Sequence, residues 1–258
     1  MKYTFFLDID GTLIYNFGKP SSNLLRIIKE AQRLGHLFFI NTARSHGNVN
    51  PEKFPLHCFD GFCSGCGTRT VFHGECIYEK IVPQDEVYRL VDKVLKTQPE
   101  TKFVVESTNG LLLNAEDHWE PPVVMNYTSA DDLIKQYPNE KIQKFATYYG
   151  YPLKRELADS LTDYFDVYLH PDYTEIVPKG YSKGKAVEIV EDVLGIPHES
   201  TVAIGDSHND IPMLEYCATS IAMGNALDEI KAICTAVTER VEDDGAAKAI
   251  ARLCGISY

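Results

Sequence analysis

Tyr3-Thr4-Phe5-Phe6-Leu7-Asp8-Ile9-Asp10-Gly11-Thr12-Leu13 is the stretch on which the reading of this chain turns. Residues 3–9 are almost continuously apolar and rich in aromatics, the composition of a strand buried on both faces of a parallel sheet. Two carboxylates and a glycine mark its end. Further on, Ser21 or Ser22 can cap a segment in which Leu24, Leu25, Ile27, Ile28, Ala31 and Leu34 recur at helical spacing, with Gly35 as the stop. Residues 37–40 form a second short apolar run. Strand, helix and strand in this order read as a right-handed crossover unit.

The last third repeats the rhythm. Periodicity predicts helices over 183–194, 208–216, 226–233 and 244–253, and buried strands over 201–204 and 219–222. The middle reads differently. Residues 69–77 alternate about His73-Gly74 like a hairpin, and 86–96 and 130–137 are helical in pattern. Residues 102–106, 110–114, 144–148 and 174–177 look like strands. The expected fold is therefore α/β. A doubly wound, Rossmann-like parallel-sheet core takes 1–81 and 179–258, and an inserted α+β domain takes 82–178.

The 258 residues include 25 Lys+Arg and 37 Asp+Glu, a formal net charge of −12, with 44% hydrophobic residues. That balance fits a folded protein and argues against a general nucleic-acid binder. It leaves room for a small phosphorylated ligand, because a few local donors and a metal override the global sign. No run approaches the roughly eighteen apolar residues of a membrane span, so no membrane partner is expected. Residues 1–14 lack the pattern of a signal peptide. Seven cysteines, an odd number, then fit reduced thiols and a cytoplasmic location. A monomer or homodimer is expected.

Three polar clusters each follow a predicted parallel strand: Asp8-Ile9-Asp10-Gly11-Thr12, Asn41-Thr42-Ala43-Arg44 and Gly205-Asp206-Ser207-His208-Asn209-Asp210. Ligand sites of open α/β sheets lie beyond the carboxyl ends of the strands, so the three are expected to meet at one edge. Asp8 and Asp10 repel each other unless a cation or proton sits between them. Mg²⁺ suits hard oxygen ligands and needs only two or three from protein. Gly11 permits a tight turn with backbone N–H groups facing an anion. A calcium loop is excluded, since Leu13 and Ile14 stand where further oxygen ligands would be needed. Capping explains one aspartate at a helix start, but not Asp8, Asp10, Asp206 and Asp210 converging. With Thr42 supplying a hydroxyl and Lys183 an ammonium, the set holds what phosphoryl transfer requires: nucleophile, acid/base and charge neutralisation.

In these motifs the chain resembles the haloacid dehalogenase superfamily, and within it the Cof-type (subfamily IIB) phosphatases. Asp8-Ile9-Asp10-Gly11-Thr12-Leu13 matches the first motif, Thr42 with Arg44 the second, and Lys183 in Tyr181-Ser182-Lys183-Gly184 the third. The run from Gly205-Asp206 through Asp210 to Leu214 matches the fourth, and Ala222-Met223-Gly224-Asn225-Ala226 is a further Cof-like feature. The resemblance implies that residues 82–178 form a C2B-type cap over the site. It implies that Asp8 attacks phosphorus and that Asp10 serves as acid and then base. Mg²⁺ would be held by Asp8, the backbone carbonyl of Asp10, and Asp206, with support from Asp210. Thr42, Lys183, Asn209 and the turn at Gly11 would hold phosphoryl oxygens. Arg44 and His46 are candidate substrate contacts, and Glu106, His118, Trp119 and His170 are candidates in the cap.

Two departures stand out: Thr42-Ala43-Arg44 replaces the usual Thr-Gly-Arg, and Ser64-Gly65-Cys66 the usual Asn-Gly-Ala. The second puts in doubt any substrate contact assigned to that Asn. Cys58, Cys63, Cys66 and Cys76 could alternatively suggest zinc, but only Cys63 and Cys66 form a tight pair. A phosphomutase-type transferase is another alternative. It would need basic residues in the cap, where Lys135, Lys141, Lys144, Lys154 and Arg155 read as a solvated face. A non-catalytic binding module of the same fold is the third.

Overall fold

The structure is a computed structural model that describes residues 1–16, 18–52, 54–115 and 123–258. Its first elements are β1 (Thr4–Leu7), α1 (Ser22–Arg33), β2 (Leu37–Asn41), β3 (Gly61–Ser64), β4 (Arg69–Phe72) and β5 (Glu75–Glu79). Next come α2 (Gln84–Thr97), β6 (Phe103–Ser107), β7 (Leu111–Leu113), β8 (Val124–Asn126) and α3 (Ala130–Gln136). They are followed by β9 (Ile142–Thr147), α4 (Arg155–Asp159), β10 (Phe165–Leu169) and β11 (Thr174–Pro178). The last are α5 (Lys183–Leu194), β12 (Thr201–Gly205), α6 (Ile211–Tyr216), β13 (Thr219–Ala222), α7 (Asp228–Ile233), β14 (Ala236–Val237) and α8 (Gly245–Cys254).

These elements form two compact units. The first comprises Met1–Ala43, Pro51–Glu79 and Ser182–Tyr258. Its sheet runs β14-β13-β12-β1-β2-β3-β4-β5, parallel up to β3 and antiparallel in the β4–β5 hairpin. All residues of β1 and β12 are buried, which is why both read as continuous apolar runs. Successive side chains alternate between faces. Phe6 and Phe39 pack with Ala186, Val187, Val190, Met213, Leu214 and Ile230 from α5, α6 and α7. Phe5 stacks on Phe38, its partner in the ladder, with centroids 4.7 Å apart. On α1 the Ser21 hydroxyl accepts from Leu24 N at 2.9 Å, and Leu24, Ile27, Ile28 and Ala31 are buried.

The second unit comprises Arg44–Asn50 and Lys80–Tyr181. Its sheet runs β10-β11-β9-β6-β7-β8, with antiparallel neighbours except β7 and β8. One core gathers Val87, Leu90, Val91 and Val94 of α2 with Phe103, Val105, Phe145, Phe165 and Ile176 of the sheet. The unit starts two residues before the expected 82 and ends three after 178. It also takes in Arg44–Asn50, because Ser45 N donates to Glu106 Oε2 at 3.1 Å and His46 N to Gln143 Oε1 at 2.8 Å. A Cβ at Gly47 would stand 2.1 Å from Gly110 N, so only glycine allows that approach.

The helix expected over 208–216 is divided: a 3-10 turn over His208–Asp210 precedes α6. The cause is a capping box between Ser207 and Asp210, followed by Pro212 in the first turn of the helix. The strand expected over 3–9 ends at Leu7, where the chain turns into the Asp8–Gly11 loop. Among the described residues, no helix is long and apolar enough to cross a membrane.

Candidate active site

β1 lies between β12 and β2, with Leu7 level with Ile204 and Ile40. From β1 the chain winds toward β3 on one side, and toward β14 on the other. This is the switch point at which doubly wound sheets open a crevice. Asp8, Thr42 and Asp206 each follow the end of one of these three strands. Asp8 N still donates to Ile204 O at 3.2 Å, and buried Thr42 donates its N–H to Cys63 O at 3.0 Å.

Lys183 opens α5 just after its Ser182 cap, which orients the side chain back toward the strand ends. Its ammonium is buried and donates to Asp8 Oδ1 at 2.5 Å and to Asp210 Oδ1 at 2.6 Å. Asn41 Nδ2 donates to Lys183 O at 2.8 Å and so fixes the start of the helix. Asp210 Oδ2 accepts from Asp206 N and Ser207 N, both at 2.9 Å, and from Ser207 Oγ at 3.2 Å. Asp210 is thus committed to shaping the loop and holding the lysine. A Cβ at Gly205 would lie 2.6 Å from its carboxyl carbon, so the strand must end on glycine.

Asp206 is served differently. Its Oδ1 accepts from Thr12 Oγ1 at 3.2 Å and its Oδ2 from Asn225 Nδ2 at 3.3 Å, neutral donors both. Gly11, at φ +84°, passes so close that a Cβ there would sit 2.3 Å from Asp206 Oδ2. Burial raises the Asp206 carboxyl to about 6, with Asp210 and Asp10 adding to the rise, while Lys183 and the Thr12 hydroxyl oppose it. Burial also holds Asp8 well above the usual carboxylate range; the Lys183 charge opposes this, and Asp210 and Asp206 reinforce it. For Lys183, burial works against the charged form, yet Asp210 and Asp8 outweigh it and hold the ammonium firmly protonated.

Ligand oxygens of Asp8, Asp206 and Asp210 lie within 4.8 Å of one another, the one such group found among the described residues. Hard oxygens are the donors Mg²⁺ takes. Two carboxyls pushed upward by burial and by repulsion from neighbouring carboxylates are what a site short of positive charge looks like. The residues therefore fit a divalent cation, with Asp8 and Asp206 having the greater free capacity. The Asp10 side chain is exposed and stands outside that group, in the turn where Gly11 N donates to Ile14 O.

Asn209 is half-buried, and its Oδ1 accepts from Ser207 Oγ at 3.0 Å. Arg44 and His46 belong to the second unit. There Glu106 is buried and accepts from Ser45 N and Asn48 Nδ2, and His170 stacks on Tyr173. His118 and Trp119 lie outside the described residues. Lys144 corrects the picture of a solvated basic face: it is buried, ion-paired to Glu175 and 3.8 Å from Glu106, whose carboxylates make its burial tolerable. The cysteines are free. Burial raises the Cys63 thiol to about 12, the opposite of a metal-binding thiolate. Sequence reasoning missed Thr12, Asn41, Ser207 and Asn225 as supports. All four stand inside or beside the motif clusters, which was their only signal.

A family profile described as haloacid dehalogenase-like hydrolase matches residues 5–250. The chain is 31% identical over 258 residues, 96% of each protein, to one named putative phosphatase YkrA from Bacillus subtilis (strain 168). It is 26% identical over 264 residues, 95% of each protein, to 5-amino-6-(5-phospho-D-ribitylamino)uracil phosphatase YitU of the same organism. Among solved structures, one described as the HAD subclass IIB sugar phosphatase BT4131 has a TM-score of 0.79 at 24% identity, over 98% of this chain and 99% of that one. A second, BT1666 from Bacteroides thetaiotaomicron, has a TM-score of 0.81 at 22% identity, over 100% and 96%. At these identities the two structures attest the fold.

Proposed function

The chain belongs to the haloacid dehalogenase-like hydrolases, and from that premise we propose that it is a Mg²⁺-dependent phosphatase of a small phosphorylated metabolite. The observation that carries this reading is the buried Asp8–Lys183–Asp210 ion cluster with Asp206 beside it, at the switch point of the sheet. Asp8 Oδ attacks phosphorus while the bond to the leaving oxygen breaks, and Asp10 gives that oxygen a proton. Asp10 then takes a proton from water, whose oxygen attacks phosphorus and breaks the bond to Asp8. Splitting the displacement lets one exposed carboxyl act first as acid and then as base. Lys183, Thr42, Asn209 and the N–H groups of the Gly11 turn neutralise and orient the phosphoryl oxygens. Asp8, the Asp10 carbonyl and Asp206 would hold Mg²⁺, which supplies charge neutralisation at the transferring group. Asp210 positions Lys183 and the loop that bears Asp206.

The second unit is the proposed cap, reading the leaving group. Relatives named for a phosphoribityl compound and a sugar phosphate make phosphorylated sugars and sugar alcohols the first candidates. Flavin mononucleotide and pyridoxal phosphate come next. The test is phosphate release over a panel of such compounds, with and without Mg²⁺. The Asp8→Asn variant is expected to fold and to lose turnover. Near-wild-type turnover from it, with Mg²⁺ binding intact, overturns the assignment.

A further inference from the structure

We propose that Asn225 is a positioning residue, whose side chain sets both the orientation of the Asp206 carboxylate and its distance from the Gly11 turn. Its Nδ2 donates to Gly11 O at 2.8 Å and to Asp206 Oδ2 at 3.3 Å, and its Oδ1 accepts from Val241 N at 2.9 Å. One amide therefore joins three stretches of chain: the turn after Asp10, the loop after β12, and the segment leading to α8.

Each anchor is itself fixed. Gly224 N donates to Glu239 O at 3.0 Å and Thr238 N to Ala222 O at 2.9 Å, which ties 222–225 to 238–241. Thr238 Oγ1 donates to Gly245 O at 2.7 Å. The amide group of Asn225 is held from behind and offers its two protons forward.

The chemistry of the donor matters as much as its place. Asp210 is held by an ammonium, which neutralises it. Asp206 is held on one oxygen by a hydroxyl and on the other by an amide, which fix the plane of the carboxylate and leave its charge for a cation. The close approach of Gly11 to Asp206 leaves no room for that plane to turn without moving the motif-one turn as well. An alanine at 225 removes the donor to both Gly11 O and Asp206 Oδ2 at once.

This inference rests on the proposed Mg²⁺ site, and the experiment separates the two. Mg²⁺ alone is titrated calorimetrically into the wild-type protein, Asn225→Ala and Thr238→Val, with thermal melts of each without metal. Thr238→Val loosens the same segment without touching Asp206. Asn225→Ala is expected to bind Mg²⁺ about tenfold more weakly or worse, with Thr238→Val unchanged in affinity even where its melting temperature falls. Wild-type affinity in Asn225→Ala, or equal weakening in Thr238→Val, makes the residue structural and overturns the inference alone. Absence of Mg²⁺ binding in the wild type overturns the site reading together with it.

Discussion

Replacing Asp206 by asparagine is expected to make the metal-free protein more stable at pH 8. The carboxyl stands at about 6 in the fold against 3.8 as its ordinary value, so ionising it costs the folded state about two pK units, or roughly 3 kcal/mol. The sign follows from linkage. A carboxyl raised on folding carries no penalty below about pH 3, where both states are protonated. The penalty grows as pH rises between the two values and is complete above about pH 7. Asparagine removes it. The side-chain oxygen of the introduced asparagine can accept from Asn225, and its amide can donate to the Thr12 hydroxyl, so both contacts survive as neutral hydrogen bonds, at a loss of about 1 kcal/mol. The net gain is about 2 kcal/mol at pH 8, or about 5 °C in melting temperature. Near pH 5 the penalty has fallen by about half and the gain should nearly vanish. The assay is a thermal melt of both proteins in EDTA across this range. Mg²⁺ added at pH 8 should then raise the wild type and leave the variant unmoved. A variant less stable than wild type at pH 8, or a gain independent of pH, refutes the reasoning.

Lys183→Met leaves Asp8 and Asp210 buried without their shared ammonium. It should destabilise the protein by about 3–5 kcal/mol in denaturant melts and abolish phosphate release. Gly11→Ala and Gly74→Ala share φ +84°, but an added Cβ meets Asp206 in the first and nothing within 4 Å in the second. Gly74→Ala should therefore cost about 1 kcal/mol of strain with activity unchanged, while Gly11→Ala loses Mg²⁺ binding and turnover. Equal effects from the two would show that conformation alone, and not the approach to Asp206, matters. Ser21→Ala removes the cap on Leu24 N and should lower stability by about 1 kcal/mol, read by chemical denaturation, with kcat and KM unaltered.

What could be read in advance was whatever is local in sequence. α5 starts on Ser182 and stops on Gly195 in the left-handed region, so both ends were visible in the chain. β1 and β12 announced themselves as apolar runs because both faces are covered. β3 (Gly61–Ser64) is short and includes glycine, cysteine and serine, weak strand formers, and only the motif resemblance pointed to it. β10 (Phe165–Leu169) does alternate, yet Asp166 and Tyr168 on its outward side diluted the signal. Membership of Arg44–Asn50 in the second unit depends on Glu106, Gln143 and Gly110, each more than fifty residues away. No window along the chain holds that information. The same is true of Asn225, whose partners Gly11 and Asp206 become neighbours only once β12 pairs with β1.

The distribution of charge at the strand ends also argues against a purely structural role. Among the described residues, Asp8, Asp206 and Asp210 face a single ammonium, that of Lys183, within a chain of net charge −12. A fold selected only for stability would resolve this cheaply, by an amide at 206 or an apolar residue at 183 and 210, since buried ions gain little over well-packed neutral groups. Instead the chain uses Gly11, Thr12, Gly205 and Asn225 to bring Asp206 close to Asp8 and hold it there with neutral donors. Each of these devices keeps negative charge concentrated, and none neutralises it. An arrangement that accumulates repulsion at the switch point of a sheet gains stability when something positive completes it. On the proposed mechanism, the same completion would let the Asp8 oxygen approach an anionic phosphoryl group, which it would otherwise repel. The instability predicted for the metal-free site and the proposed phosphoryl transfer thus share one cause, and substitutions at 206 should trade the first against the second.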